Sequence, residues 1–401
     1  EGREQGQGLS SPASAVAEVT EISMPIPRYG ESSLSDVMPS VLAALGVGTD
    51  NRLDLAETAR AVVVLVDGMG LVGLRARADA APFLSSMACR ELTAGFPSTT
   101  VTSLASLSTG VPAGEHGMTG YSSYIAEVGE PVNWLSWRQV SGKDDLREVL
   151  EPEEIQSHTT VWQQAAEAGV AVTIASSRDF EGTGLTRAVF RGGRFRGVTT
   201  SGDMLVQASE AADLGHRSLV YTYASELDFI GHVRGPASDS WTAQLSMIDR
   251  QIELLAARLP AGTALYVTAD HGMTAMLQEQ TVDADEEGSP LRDGVVAIAG
   301  EPRMRHVHAR AGAAADVLRT WRSVLGDRAW VLDADTAIAS GLFGRIVTPT
   351  ARARIGDVVA IATGGLGIVQ RKRESRLSAL PGHHGALTDA ELLVPLLTTT
   401  V

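Results

Sequence analysis

The chain has almost no cysteine and almost no lysine. Its single cysteine, Cys89, excludes an intrachain disulfide and any zinc cage built on thiolates. It lies in SSMACRELTA beside apolar residues, where a small buried side chain is expected. Lysine occurs only as Lys143 and Lys372, so the 33 cationic residues are nearly all arginine, a bias without functional content. No apolar run approaches the ~20 residues that cross a bilayer. The opening stretch EGREQGQGLSSPASAVAEVTEIS lacks the basic-then-apolar order of a secretory leader and reads as a flexible extension over residues 1–23. A cytoplasmic location is the expectation, with a removed leader left open. Positive charge is short overall: 33 Lys+Arg against 48 Asp+Glu leave a formal charge of −15. That balance disfavours nucleic acid held by nonspecific attraction, and likewise an anionic membrane surface. An anionic substrate would need something local to reverse the field.

What is present is an ordinary globular composition, 44% hydrophobic and 20% charged over 401 residues. That length buries a large core in one α/β domain with an insertion, or in two domains. SLSDVMPSVLAALGV (33–47) has helical apolar spacing, with Ser35 as the expected N-cap. In AVVVLVDGMG (61–70) five of the first six residues are Val or Leu, which suits a strand buried on both faces and ended by Asp67. Val170–Ala175, Ser218–Tyr223 and Ala264–Thr268 repeat the pattern. Between the last two, Trp241, Leu245, Ile248, Ile252 and Leu255 form a stripe at 3/4 spacing. Strands alternating with helices predict an α/β fold with a doubly wound, mostly parallel sheet. Residues from about 275 to 360 differ: an acidic loop and the short strands of RHVHAR, VVAIA and VVAIAT read as an insertion or small subdomain, placed around 275–355.

Four separated segments each place Asp, His or a hydroxyl at a strand end or tight turn, where open α/β sheets bind ligands. They are VLVDGMG with Asp67, FPSTTVTSLASLSTG with Ser98, Thr99 and Thr100, YASELDFIGHVRGP with Asp228 and His232, and VTADHGM with Asp270 and His271. A weaker fifth is PGHHG near the C-terminus. Singly each has a bland reading. Ser or Thr before a helix is a cap, an Asp ending a strand makes an Asx-turn, and an i,i+4 Asp/His pair is a solvated face. His306 and His308, alternating on an expected strand, and His116, His158 and His216 read as structural. Taken together, three carboxylates and three imidazoles fit a pair of divalent ions, for which imidazole and carboxylate suit zinc. Two metals about 4 Å apart stabilise the attacking and leaving oxygens of an in-line displacement at phosphorus.

In order and spacing these segments resemble the type I phosphodiesterase/nucleotide pyrophosphatase branch of the alkaline phosphatase superfamily, from Tyr29 to the C-terminus. The D-x₃-H followed by GP, with DHGM about forty residues on, is the specific part, and GHHGALTDAELLVPLL completes it. The resemblance implies an alkaline-phosphatase-like catalytic domain over 24–401, its mostly parallel central sheet flanked by helices on both faces. It implies one zinc on Asp67, Asp270, His271 and the nucleophile oxygen, and a second on Asp228, His232 and His384, two ions per chain. Thr100 falls at the nucleophile position, with Thr99 next in line. His384 rather than His383 matches the G-x-H-G pattern, with the neighbouring imidazole as the alternative. The implied reaction is hydrolysis of a small phosphodiester or nucleotide pyrophosphate through a phospho-threonine intermediate.

One departure concerns substrate binding. These pyrophosphatases carry an asparagine shortly after the HG of this region, where the chain reads EHGMTGYSSYIAEVGEPVNW. Tyr121 stands near that position and Asn133 a dozen residues on, and either is a candidate donor to a phosphoryl oxygen. The pocket reading the leaving group is expected from loops in 119–160 and 275–350. A sulfatase would need C/S-x-P-x-R, which FPSTTVT lacks. A phosphomonoesterase, phosphonate hydrolase or phosphomutase shares the two-metal core, though mutases carry a larger domain than 111–217 provides. A catalytically silent zinc-binding protein is the reading from another class, disfavoured because every ligand and Thr100 are present.

Overall fold

The structure, a computed structural model, describes residues 24–401. The expected extension over 1–23 lies outside the described residues. Seven strands build the central sheet: β1 (Arg60–Val66), β2 (Ala88–Thr93), β3 (Ala171–Ser177), β4 (Arg194–Val198), β5 (Ser218–Ala224), β6 (Thr263–Thr268) and β7 (Leu393–Thr400). Their order is β2-β7-β6-β1-β5-β3-β4. Only β7 runs antiparallel to its neighbours, so the sheet is mostly parallel and flanked by helices, as expected. β1 lies near its centre, with Ala61–Val66 all buried, the signature of a strand covered on both faces. In register, Val66 pairs with Ala224 and Leu65 with Thr268. The residues following β1, β5 and β6 therefore emerge side by side at one carboxyl edge.

The helix Asp239–Ala256 buries Trp241, Leu245, Ile248, Ile252 and Leu255 along the expected stripe. Two local expectations are corrected. The first helix begins at Val37 after a 3₁₀ turn, Leu34–Asp36, and Ser33 rather than Ser35 caps the turn. Ser33 bonds the Asp36 carboxylate through both its N–H (2.9 Å) and its hydroxyl (2.8 Å), while the Ser35 hydroxyl is engaged by Ser33 Oγ. Cys89 is exposed rather than buried. It lies on β2, an edge strand whose first three residues face solvent, so its apolar sequence neighbours did not report its surroundings.

The later segment forms a four-stranded antiparallel sheet in the order Val295–Glu301, Met304–Ala309, Val358–Ala362, Ala329–Asp333, with its own core against Trp321 of the helix Ala314–Leu325. Two buried ion pairs join this sheet to the C-terminal segment. Arg303 grips Glu391 at 3.0 and 2.9 Å, and Arg305 grips Glu374 at 3.2 and 2.6 Å. A three-stranded sheet (Ser122–Ile125, Glu130–Asn133, Arg138–Gln139) is stitched to it where Ser122 Oγ bonds the backbone of Gly300. Among the described residues no helix is long and apolar enough to cross a membrane.

Candidate active site

Asp67 follows β1 directly, and Gly68 turns the chain away with φ of 72°. A Cβ at Gly68 would meet Asp228 Cα at 3.0 Å, so a glycine lets the two acidic segments approach. Asp228 and His232 lie one turn apart on the helix Glu226–Arg234, with Oδ2 and Nε2 separated by 3.3 Å. Asp270 and His271 follow β6. His271 Nε2 lies 3.4 Å from Asp270 Oδ2 and 3.5 Å from Asp67 Oδ1. His384 stacks on His271 with centroids 3.6 Å apart and brings its Nε2 to 3.9 Å from Asp228 Oδ1. The fold thus brings together Asp67, Asp228, His232, Asp270, His271 and His384 from four separated segments.

The three hydroxyls of FPSTT separate cleanly. Ser98 donates to the Ala386 carbonyl (2.7 Å) and Thr99 donates to Glu301 Oε2 (3.1 Å). Thr100, the first residue of the helix Thr100–Thr109, places its oxygen 3.2 Å from His271 Nε2. Neither Thr99 nor Thr100 is spent on capping: no side-chain cap bond forms at that helix start.

Each imidazole is oriented from behind. Nδ1 of His232, His271 and His384 lies 2.7, 2.9 and 3.0 Å from the carbonyls of Gly382, Gly272 and Ser98. A carbonyl only accepts, so Nδ1 carries the proton and Nε2 turns a lone pair toward the carboxylates. Those carboxylates end in buried oxygens without partners: Asp67 Oδ1, Asp228 Oδ1 and Asp270 Oδ2. Burial, then the neighbouring Asp270 and Asp228, push the Asp67 carboxyl well above its usual range. Burial raises Asp228 against the opposing pull of His232, and burial with His271 and His232 drives His384 well below the imidazole range. Lone pairs facing unpartnered carboxylate oxygens make a site short of positive charge, which divalent cations fit. Among the described residues two groups have the required spacing, Asp228/His232/His384 and Asp67/Asp228/His271, with candidate ligand atoms within 4.8 Å of one another. Asp228 belongs to both groups, and Asp270 flanks the second.

His383, the alternative ligand, stands outside both groups, with its Nε2 buried and unpartnered. Asn133 donates its amide to the Tyr121 hydroxyl and does not line the cavity at Thr100, whereas Tyr121 does. Burial, with Glu374 and Glu301, pushes the Tyr121 phenol up to about 12. His306 sits away from the cluster between the carbonyls of Thr119 (2.8 Å) and Ile355 (3.1 Å), and His116 bonds Ser106 Oγ (3.0 Å). Both are structural, as expected.

Three features escaped the sequence. Glu301, buried with its carboxyl raised by burial, reaches the site from the four-stranded sheet. Tyr223 donates its hydroxyl to Asp67 Oδ2, and its only signal is its place at the end of a buried strand. The cavity wall is the third. Tyr121, Leu135 and Glu301 come from the expected ranges 119–160 and 275–350, but a larger share of the wall is Ser176–Phe195 with Tyr221 and Tyr223. The chain after β3 returns over the carboxyl edge of the sheet, a consequence of topology that spacing does not carry.

No curated protein sequence is significantly similar to the chain. Among solved structures, the fold matches murine ectonucleotide pyrophosphatase/phosphodiesterase 5 at 17% identity, covering 84% of this chain and 87% of that one, with a TM-score of 0.67. The human counterpart matches at 17% identity over 84% and 87%, with a TM-score of 0.65. Phosphonoacetate hydrolase from Sinorhizobium meliloti 1021, in complex with phosphonoformate, matches at 20% identity over 85% and 90%, again with 0.65. At such identities the likeness is one of fold. The family model for type I phosphodiesterase/nucleotide pyrophosphatase spans residues 61–387, from β1 past the last histidine pair. The chain belongs to the type I phosphodiesterase/nucleotide pyrophosphatase family, a family of phosphoester hydrolases within the alkaline phosphatase superfamily.

Proposed function

We propose that the chain hydrolyses phosphodiester or nucleotide pyrophosphate bonds in a metal-dependent reaction, with Thr100 as nucleophile. The observation that carries this reading is the division of the FPSTT hydroxyls, of which only Thr100 turns to the carboxylate–imidazole cluster. Asp67, Thr100, Asp270 and His271 would hold one divalent ion, and Asp228, His232 and His384 another, with zinc suited to the donor set. When bound, such ions supply positive charge at the phosphoryl oxygens and bring the pKa of hydroxyl or water nearer neutrality.

The chain's own part is positioning. The helix Thr100–Thr109 aims its N-terminal N–H groups and positive dipole end at the site, which favours phosphoryl oxygens there. Thr100 Oγ1 attacks phosphorus, one ester oxygen leaves, and water then cleaves the phospho-threonine formed. Tyr121 is the candidate donor to a non-bridging oxygen, because Asn133 occupies its oxygen lone pair and leaves its O–H proton for the cavity. A threonine in the nucleophile role is also supported by the murine relative, described as inactive in a threonine-to-alanine variant in complex with AMP.

The test compares a chromogenic phosphodiester, a phosphomonoester and a phosphonate on zinc-loaded protein. Diester turnover should dominate, and Thr100→Ala should keep fold and metal while losing ~10³-fold or more in kcat. Activity surviving in that variant would move the nucleophile to Thr99. Two zinc ions per chain without turnover of any phosphate ester would leave a silent metal-binding protein instead.

A further inference from the structure

Two hollows meet at the candidate active site, and they differ in chemistry. The closed one holds about 240 Å³ and, among the described residues, is lined by no arginine or lysine. Away from the cluster its walls are Leu104, Phe180, Leu185, Phe190, Phe195 and Tyr221, relieved only by small hydroxyls. The other is a more open groove of about 520 Å³ that shares Tyr121, His232 and Leu377 with the first. Three guanidinium groups line it, those of Arg138, Arg373 and Arg376.

The charges that face these arginines leave two of them over. Among the described residues Glu374 is the one carboxylate lining the groove, and it is held by buried Arg305 at 3.2 and 2.6 Å. Arg373 pairs with Asp285 at 2.7 Å. Arg138 donates to the Lys143 carbonyl, which does not neutralise it, and the Asp145 carboxylate that also acts on it is held by Arg147. Arg376 makes no hydrogen bond or ion pair with its side chain among the described residues. In a chain of formal charge −15, two uncompensated guanidinium groups in a groove opening onto the cluster make a local anion receptor. A guanidinium presents a planar fork that matches carboxylate and phosphate alike. An apolar hollow without cations penalises a charged occupant instead, because nothing there repays its desolvation.

We infer that the substrate is two-armed: one substituent on phosphorus is uncharged and apolar or aromatic and fills the closed cavity, and the other carries a carboxylate or a further phosphate received by Arg138 and Arg376. The inference rests on the proposed phosphoester hydrolysis and assigns its specificity. Both arginines are exposed positioning residues with no part in the bond-breaking step.

The experiment uses zinc-loaded protein and three p-nitrophenyl phosphodiesters whose second alcohol ends in a methyl group, a carboxylate or a phosphate. The readout is the ratio of kcat/KM for each anionic diester to that for the methyl-ended one. Wild type should favour the anionic diesters by about tenfold, and whichever of carboxylate and phosphate gains more identifies the anion. The double variant Arg138→Ala/Arg376→Ala should bring the ratio to about one, and Arg376→Glu should take it below one. Arg376→Lys should keep part of the preference, and added salt should erode it in wild type, since both partners are solvated. A wild-type ratio near one, or a preference that survives in the double variant, overturns the inference while leaving the hydrolase reading intact. Failure to cleave all three diesters overturns the hydrolase reading itself.

Discussion

His383 and His384 are adjacent imidazoles with opposite surroundings. Nε2 of His384 faces Asp228, with Nδ1 anchored on the Ser98 carbonyl, whereas His383 Nε2 has no partner and its ring lies 5.6 Å from that of His232. His384→Ala should therefore lower bound zinc from two ions per chain to one, and His383→Ala should retain both, as read by metal analysis after gel filtration. The reverse result would exchange their roles. Asp228→Ala is expected to weaken both ions, because Asp228 alone is common to the two candidate groups. Most of these residues were legible because each ends a run with a readable period: Asp67 and Asp270 close buried strands, and Asp228 and His232 share a helical turn. Glu301 and Tyr223 were not legible. They reach the site by register and by packing between segments more than 150 positions apart in the chain, and no local pattern records that.

At the scale of elements, apolar period was the reliable guide and local chemistry the weaker one. The runs at 61–66 and 264–268 became central strands because β-branched residues on both faces suit only a covered sheet position. The cap was misplaced by two residues because Ser33 and Ser35 offer the same hydroxyl, and only Asp36, three after Ser33, breaks the tie. Cys89 was misjudged because edge position is a property of the sheet, set by which strands pair beyond it. The buried Arg303–Glu391 pair belongs to this scale, since it ties the hairpin carrying Glu301 to the segment after His384. Both side chains are fully buried. Arg303→Met leaves an uncompensated buried carboxylate and should cost about 3–5 kcal/mol in denaturant unfolding. Adding Glu391→Leu removes that charge and should restore much of the loss. A double variant as unstable as the single would show that the remaining bonds of Glu391, to Ala386 N–H and the Thr388 hydroxyl, dominate instead.

Across the whole molecule, the charge of −15 and the buried histidines pull in separate directions as pH changes. The acidic balance sets which partners are repelled at long range, while three carboxylates of that total, Asp67, Asp228 and Asp270, gather at the site where cations fit. Outside that site, His116, His306 and His308 are buried, and burial is the first cause lowering all three. Their folded values fall to about 3, about 4 and about 3. An unfolded imidazole takes its proton near pH 6.5, so on acidification the unfolded chain binds protons first. Folding stability is therefore complete above pH ~6.5 and is lost as pH falls from there toward 4, by at most about 1.4 kcal/mol per pH unit for each group. At His306 burial prevails over the two carbonyls that face its ring nitrogens, which by themselves would favour the protonated ring. His306→Gln keeps a neutral donor but cannot titrate, so it should flatten the fall in unfolding free energy between pH 6.5 and 4.5 relative to wild type. Measured on chelated protein, so that metal release does not contribute, an unchanged slope would show that His306 is not a source of the acid sensitivity.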